Sequence, residues 1–363
     1  MRLAELDYEL PEGRIAQRPP ERRGDSRLLL LDRASGRCED REFREFPDLL
    51  RGDELLVLNN TRVIPARLFG WRRGVGAEPP GRKTRRQHLT ATIEVLLTRQ
   101  AGPGEWEALV HPGRKVRTGE RIRFGEGELE AEVTGRGEYG LRTLRFEGRE
   151  DVVSAIERLG HVPLPPYIDR QDEPGDRERY QTVFATVPGA IAAPTAGLHF
   201  TAETLGRLRA RGVEICELTL HVGLGTFQPI RSEILEEHKM HAEGYVIPDA
   251  VAVRIEAARA VGRKILAVGT SVVRALEDSA AKAAVSAPQR LVLPGRNEAT
   301  IFITPGCPFR VVDALLTNFH LPRSSLLALV CAFAGRENVL GAYRHAVDSE
   351  YRFYSYGDCM LIR

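Results

Sequence analysis

Cysteine, long apolar runs and an excess of charge of either sign are all scarce in this 363-residue chain. The five cysteines, Cys38, Cys216, Cys307, Cys331 and Cys359, are odd in number and widely scattered. That excludes the density of a secreted disulfide scaffold and the close pairs of a zinc ribbon. Reduced thiols are expected, and Cys331, inside the apolar run Leu326–Phe333, reads as a small buried side chain rather than a nucleophile. Apolar runs stay far below the roughly 20 residues needed to cross a bilayer. The opening Met1–Asp7 carries no long apolar targeting segment, so a cytoplasmic protein with no membrane partner is expected. Lys and Arg number 52 against 50 Asp and Glu, a net charge of +2. A uniformly basic nucleic-acid coat is thereby excluded, but a local basic patch is not.

What is present is a loop-rich globular chain, 42% hydrophobic, with 34 Gly and 22 Pro, long enough for about two domains. Residues 27–32 and 54–58 read as buried strands, the second ending in the polar turn Asn59-Asn60. Between 61 and 150 many short β-favouring pieces alternate with glycine-rich turns, as in a small antiparallel barrel. Within that region residues 72–87 hold six basic residues against Glu78, a net +5 that leaves −3 for the rest of the chain. This piece is either a solvated loop or an RNA-phosphate contact. After Asp151 the pattern becomes α/β, with helices expected over 151–159, from the cap Thr201 to 210 or 211, over 249–261 and near 271–284, and a final one near 324–333. The fold class is therefore α/β. A large discontinuous, barrel-like α/β catalytic domain (1–60 and 151–363) carries an inserted small antiparallel β-barrel domain (61–150).

Three glycine-bearing stretches follow strand or turn signals: Ala193–Phe200, Thr219–Phe227 and Val268–Ser271. Such junctions let a ligand approach the backbone, and a following helix start can receive a carboxylate or phosphate. Together they suggest one shared pocket, and none fits a dinucleotide or Walker pattern. His238-Lys239-Met240-His241-Ala242-Glu243 raises zinc, but its spacing matches no tight metal box and no metal is expected. Asn318 and His320 stand at a polar tip after an apolar run. Tyr351–Asp358 reads either as a base clasp or as a C-terminal strand packed on the core.

Motifs spread over the chain resemble the S-adenosylmethionine:tRNA ribosyltransferase-isomerase family of queuosine biosynthesis. They are Asp7–Pro11, Asn59–Leu68, Gly160–Ile168, Ala193–Phe200, His221–Phe227, His238–Glu243, Thr317–Pro322 and Tyr356–Asp358. The resemblance implies an enzyme that moves and isomerises the ribosyl part of S-adenosylmethionine onto 7-aminomethyl-7-deazaguanine at the tRNA wobble position. Epoxyqueuosine-tRNA would form, and adenine and methionine would leave. S-adenosylmethionine is then a consumed substrate, and no cofactor is expected. A noncatalytic tRNA binder and a conventional methyltransferase are the alternatives.

The resemblance also implies a site. Catalytic roles fall to Thr195, His199, His221 and His320, with His199 and His221 as proton-transfer candidates. Substrate contacts fall to Gly197, Gly223, Gly225, Thr226, His238, His241, Glu243, Gly269, Thr270 and Asn318. Arg62 and Arg67 read as phosphate contacts or as solvated residues of the barrel boundary, and Arg274 as an RNA contact or the partner of an adjacent acid; Arg72, Arg73, Arg82, Lys83, Arg85 and Arg86 lie in a stretch longer than the family's compact connection, either a surface insertion or an extra tRNA grip. Gly269–Arg274 departs from the family's VGTTSVR-like text at Ser271 and Val272. A monomer is expected.

Overall fold

Runs in which every residue is apolar belong inside a sheet covered on both faces. The computed structural model describes residues 1–75, 92–137, 140–147, 151–223, 230, 232–238, 240 and 242–363. Its strands are, in chain order, β1 (Arg27–Leu31), β2 (Cys38–Glu42), β3 (Leu55–Asn59), β4 (Thr61–Val63), β5 (Arg67–Val75), β6 (Thr92–Gly102), β7 (Glu105–His111), β8 (Glu120–Phe124), β9 (Leu129–Arg136) and β10 (Leu141–Glu147). There follow β11 (Val187–Ala190), β12 (Glu214–Leu220), β13 (Glu243–Ile247), β14 (Ile265–Val268), β15 (Gly295–Ala299), β16 (Ala314–Asn318) and β17 (Cys359–Ile362). Nine of them form one sheet in the order β15-β13-β12-β3-β14-β16-β17-β1-β2, with β15 and β2 at its edges among the described residues. Alternate residues feed two cores: Leu55, Val57, Ile265 and Ala267 on one face, Leu56, Leu58, Leu266 and Val268 on the other.

The expected small barrel is closed, β10-β7-β6-β5-β8-β9, and antiparallel throughout. Its interior alternates in phase with each strand, for example Ile93, Val95 and Leu97 on β6. Helix α1 (Val152–Leu159) is capped by the Asp151 side chain and adds Ala155 and Ile156 to the barrel core. Gly160 then lies so close to Pro65 that a Cβ there would stand 1.8 Å from the Pro65 carbonyl oxygen.

Helices α2 (Ala202–Ala210), α3 (Asp249–Ala260), α4 (Thr270–Ser286) and α5 (Ser325–Ala334) match the expected positions, and Thr201 and Ser324 cap α2 and α5 through their hydroxyls. The helix expected to be the last is not. Gly335, at φ +82°, turns the chain into α6 (Arg336–Asp348), which buries Val339, Ala342, Tyr343 and Ala346 on one face. The terminal strand is also displaced from expectation. Tyr351–Asp358 is a turn-rich segment, and the strand is Cys359–Ile362, inserted between β1 and β16. Among the described residues no single helix is long and apolar enough to cross a membrane.

Candidate active site

Strands β12, β3, β14 and β16 run parallel, so their carboxyl ends meet along one edge of the sheet, the usual location of a ligand crevice in such sheets. Asn59, at the end of β3, ties three of those ends together. Its amide donates to the Leu220 carbonyl (2.9 Å) and to Ser271 Oγ (3.2 Å), and its Oδ1 accepts from Leu220 N–H (3.0 Å). After β14, Gly269 adopts φ +91° and starts the 17-residue α4, leaving Thr270 and Ser271 at its N-terminus.

A cavity of about 430 Å³ opens beside these ends. It brings together Thr195, Gly269, Thr270, Asn318 and His320, with Glu243 from β13 and Arg274 from the second turn of α4. Glu243 and Arg274, each 5% exposed, form a buried ion pair; Glu243 Oε1 also accepts from Gly223 N–H at 2.9 Å, and Arg274 donates to the Ala299 carbonyl at 3.3 Å. Of the two expectations for Arg274, RNA or an adjacent acid, the structure shows the acid: β13 delivers Glu243 to it in the interior, in the cavity wall. Ser271 also lines the cavity. The serine at this departure from the family text keeps a bonded hydroxyl, whereas Val272 is buried in the core.

The histidines separate by position. His320 lines the cavity, and its Nε2 pairs with Thr317 Oγ1 at 2.9 Å. His199 does not line it and lies behind Asn318, whose Nδ2 donates to His199 Nε2 at 3.2 Å. That leaves His199 Nδ1–H to donate to Ser26 Oγ at 2.6 Å. Burial pushes both rings down to about 3, with the Arg23 guanidinium adding to the effect at His199, so both are neutral near pH 7. His221 is away from the cavity, its Nδ1 pairs with Thr61 Oγ1 at 2.8 Å, and burial and Arg296 lower its pKa. Gly197 is packed so tightly that a Cβ would meet Phe184 and Thr182 within 2.8 Å. The His238 ring stands edge-on to Phe302 at 5.2 Å. Among the described residues no three or more His, Cys, Asp or Glu side chains cluster as a metal site.

Asn318 is held by its amide nitrogen, whose two hydrogens are shared among His199 Nε2 and the carbonyls of Tyr354 (3.0 Å) and Asp358 (3.3 Å). Two carbonyls on that side fix which end of the amide is nitrogen. Among the described residues its Oδ1 has no partner. Tyr354 and Ser355, from the stretch that reads as a base clasp or a strand, also line the wall, joined by Tyr167, for which no role was expected. The Tyr167 and Tyr354 rings stand 4.0 Å apart, and Tyr354 takes φ +74°. The aromatic density of 351–358 is the sequence signal for Tyr354, and Tyr167 lies within the Gly160–Ile168 motif.

The remaining arginines are engaged inside the protein. Arg62 pairs with Glu157 (2.7 Å), Arg67 with Glu94 (3.1 Å), Arg72 with Glu120 (2.6 Å) and Arg73 with Glu130 (3.0 Å). Gly225, Thr226, His241, Arg82, Lys83, Arg85 and Arg86 lie outside the described residues.

A family model described as queuosine biosynthesis protein matches residues 3–362. An S-adenosylmethionine:tRNA ribosyltransferase-isomerase of Solibacter usitatus is 54% identical, and one of Moorella thermoacetica 51%, each alignment covering 100% of both chains. A solved structure, S-adenosylmethionine tRNA ribosyltransferase of Thermotoga maritima, is 37% identical with a TM-score of 0.53, covering 99% of this chain and 100% of that one. A match running from end to end, over a chain whose scattered motifs converge on one cavity, establishes that this protein belongs to the S-adenosylmethionine:tRNA ribosyltransferase-isomerase family.

Proposed function

We propose that the cavity at the carboxyl ends of β3, β14 and β16 is where S-adenosylmethionine binds and where the wobble nucleotide of tRNA is received. The reaction is the family's. The ribosyl moiety of S-adenosylmethionine is transferred to 7-aminomethyl-7-deazaguanine in tRNA and isomerised, giving epoxyqueuosine-tRNA with release of adenine and methionine. The observation that carries the site is the convergence of Thr195, Thr270, Asn318, His320, Glu243 and Arg274 from separate motifs onto one 430 Å³ space.

Their chemistry suits the substrate. The sulfonium and ammonium of S-adenosylmethionine call for negative charge, which Glu243 supplies in a low-dielectric wall. The α-carboxylate suits Arg274 and the N-terminus of α4, where Thr270 and Ser271 add hydroxyl donors. His320 is the cavity's proton-transfer group, acting on the ribose carbon that the sulfonium acidifies. His199 acts one layer back, as a positioning residue that holds Asn318 with Oδ1 ready to accept a hydrogen bond from substrate. His221 has a comparable support role through Thr61. The catalytic unit comprises 1–60 and 151–363, with 61–150 as the inserted unit, and the chain works as a monomer.

The test is direct. Purified protein is incubated with S-adenosylmethionine and tRNA carrying 7-aminomethyl-7-deazaguanine, and the nucleoside mass, adenine and methionine are measured. Equal release of adenine and methionine with a heavier nucleoside is expected. S-adenosylhomocysteine release would refute the reading, and so would binding without turnover of competent tRNA.

A further inference from the structure

Among the described residues only two aromatic side chains are exposed, and they are neighbours. Phe69 (39%) and Trp71 (46%) stand two apart on β5, on the outer face of the closed barrel, while Leu68 between β5 and the core is fully buried. Two large rings left in water on one face are not needed by the barrel, whose interior is already filled and includes the other tryptophan, Trp106. Arg123 sits directly across from Trp71 on β8, its guanidinium lying over Gly127 in the following turn, and among the described residues no ion pair holds it. Glu94, across from Phe69 on β6, has its charge met by Arg67. The ring of His161 meets Phe69 edge-on at 5.1 Å. From His161 the chain needs only five more residues to reach Pro166 in the cavity wall, at most roughly 18 Å of extended backbone.

We infer that Phe69 and Trp71, with Arg123 beside them, form a stacking platform for unpaired bases of the tRNA anticodon loop next to the nucleotide held in the cavity. Flat exposed rings with an arginine outside any ion pair on the neighbouring strand are what unpaired bases and their phosphates recognise, whereas a duplex offers its bases only at their edges. The short path from Phe69 to the cavity is the reach of a few nucleotides. The inference rests on the tRNA reading above and adds to it the surface that grips the loop.

Two measurements on the full chain test it. Steady-state kinetics on Phe69→Ala and Trp71→Ala should show KM for tRNA raised about 5- to 150-fold per ring, with KM for S-adenosylmethionine unchanged. Trp71→Phe should restore most of the loss, and Arg123→Gln should lower the salt dependence of tRNA binding by about one unit of slope. In the wild-type protein, an anticodon-arm hairpin RNA should quench tryptophan emission, a signal absent in Trp71→Phe, where only buried Trp106 remains. The platform is ruled out by unchanged tRNA KM in both alanine variants, by equal quenching with a duplex RNA of the same length, or by Trp71 becoming buried through self-association as protein concentration rises. Should the wild-type protein release no adenine, it is the reaction reading that fails, and hairpin quenching still decides the platform.

Discussion

At the scale of single residues, the outcome is a division of labour among histidines that look alike in the sequence. His320 meets the cavity, whereas His199 is hydrogen-bonded to Ser26 and Asn318 behind it. His320→Gln should therefore slow single-turnover chemistry by about 10²- to 10⁴-fold. His199→Gln should slow it by about 10- to 100-fold through misplacement of Asn318. Because both rings titrate near 3, the rate in wild-type protein should show no inflection of theirs near pH 6.5, which a pH series of single-turnover rates checks. The same shifts have a sign for stability. A ring neutral in the folded state and ordinary in the unfolded state favours folding above pH 6.5, and that advantage drains away as pH falls toward 3. The slope approaches about 1.4 kcal/mol per pH unit for each ring. Asp358 and Glu277, raised by burial, act in the opposite sense nearer the ordinary carboxylate range. Urea unfolding should thus give lower stability at pH 5 than at pH 7, with a smaller difference in His199→Gln. The neutral partner in Glu243→Gln leaves Arg274 without its countercharge in the wall, so KM for S-adenosylmethionine should rise, with stability falling by about 3 kcal/mol.

At the scale of elements, close backbone approaches hold the cavity walls. Gly357 lets the 351–358 segment fold on itself, since a Cβ there would stand 2.4 Å from the Arg352 carbonyl oxygen. That fold carries Tyr354 and Ser355 to the cavity and the Asp358 carbonyl to Asn318. Gly160 does the same where α1 returns from the barrel to the large sheet. Gly160→Ala should cost about 3 kcal/mol, since its conflict is with Pro65 backbone rather than a flexible tip; equilibrium unfolding measures it. The helices legible in the sequence were those with a cap and an apolar period, such as α2 behind Thr201 and α5 behind Ser324. Helix α6 was not, because Gly335 and Gly341 interrupt the text and its buried residues cover only one narrow face. The last strand was misplaced because eight residues rich in Tyr, Phe and Ser precede it and share its β-favouring composition.

At the scale of the molecule, the net +2 is assembled from unlike parts. Arg62, Arg67, Arg72 and Arg73 spend their charge on carboxylates of the same chain, so long-range attraction for RNA falls to basic residues not so paired. Replacing Arg82, Lys83, Arg85 and Arg86 by Gln should weaken tRNA binding and reduce its salt slope by up to about 3, leaving KM for S-adenosylmethionine alone; unchanged affinity and slope would make the 72–87 stretch a solvated insertion. What the sequence by itself determined is the kind of most elements, α6 and the last strand aside, and the division into α/β and all-β parts, because side-chain period, caps and turn residues act over a few positions. The motif order that marks the family is equally local text. Only the tertiary structure decided that His199 stands behind Asn318, that Arg274 pairs with a carboxylate 31 positions away, and that Cys359–Ile362 slots between β1 and β16. Those facts depend on strand order and on which face each side chain presents, and both are settled by long-range packing.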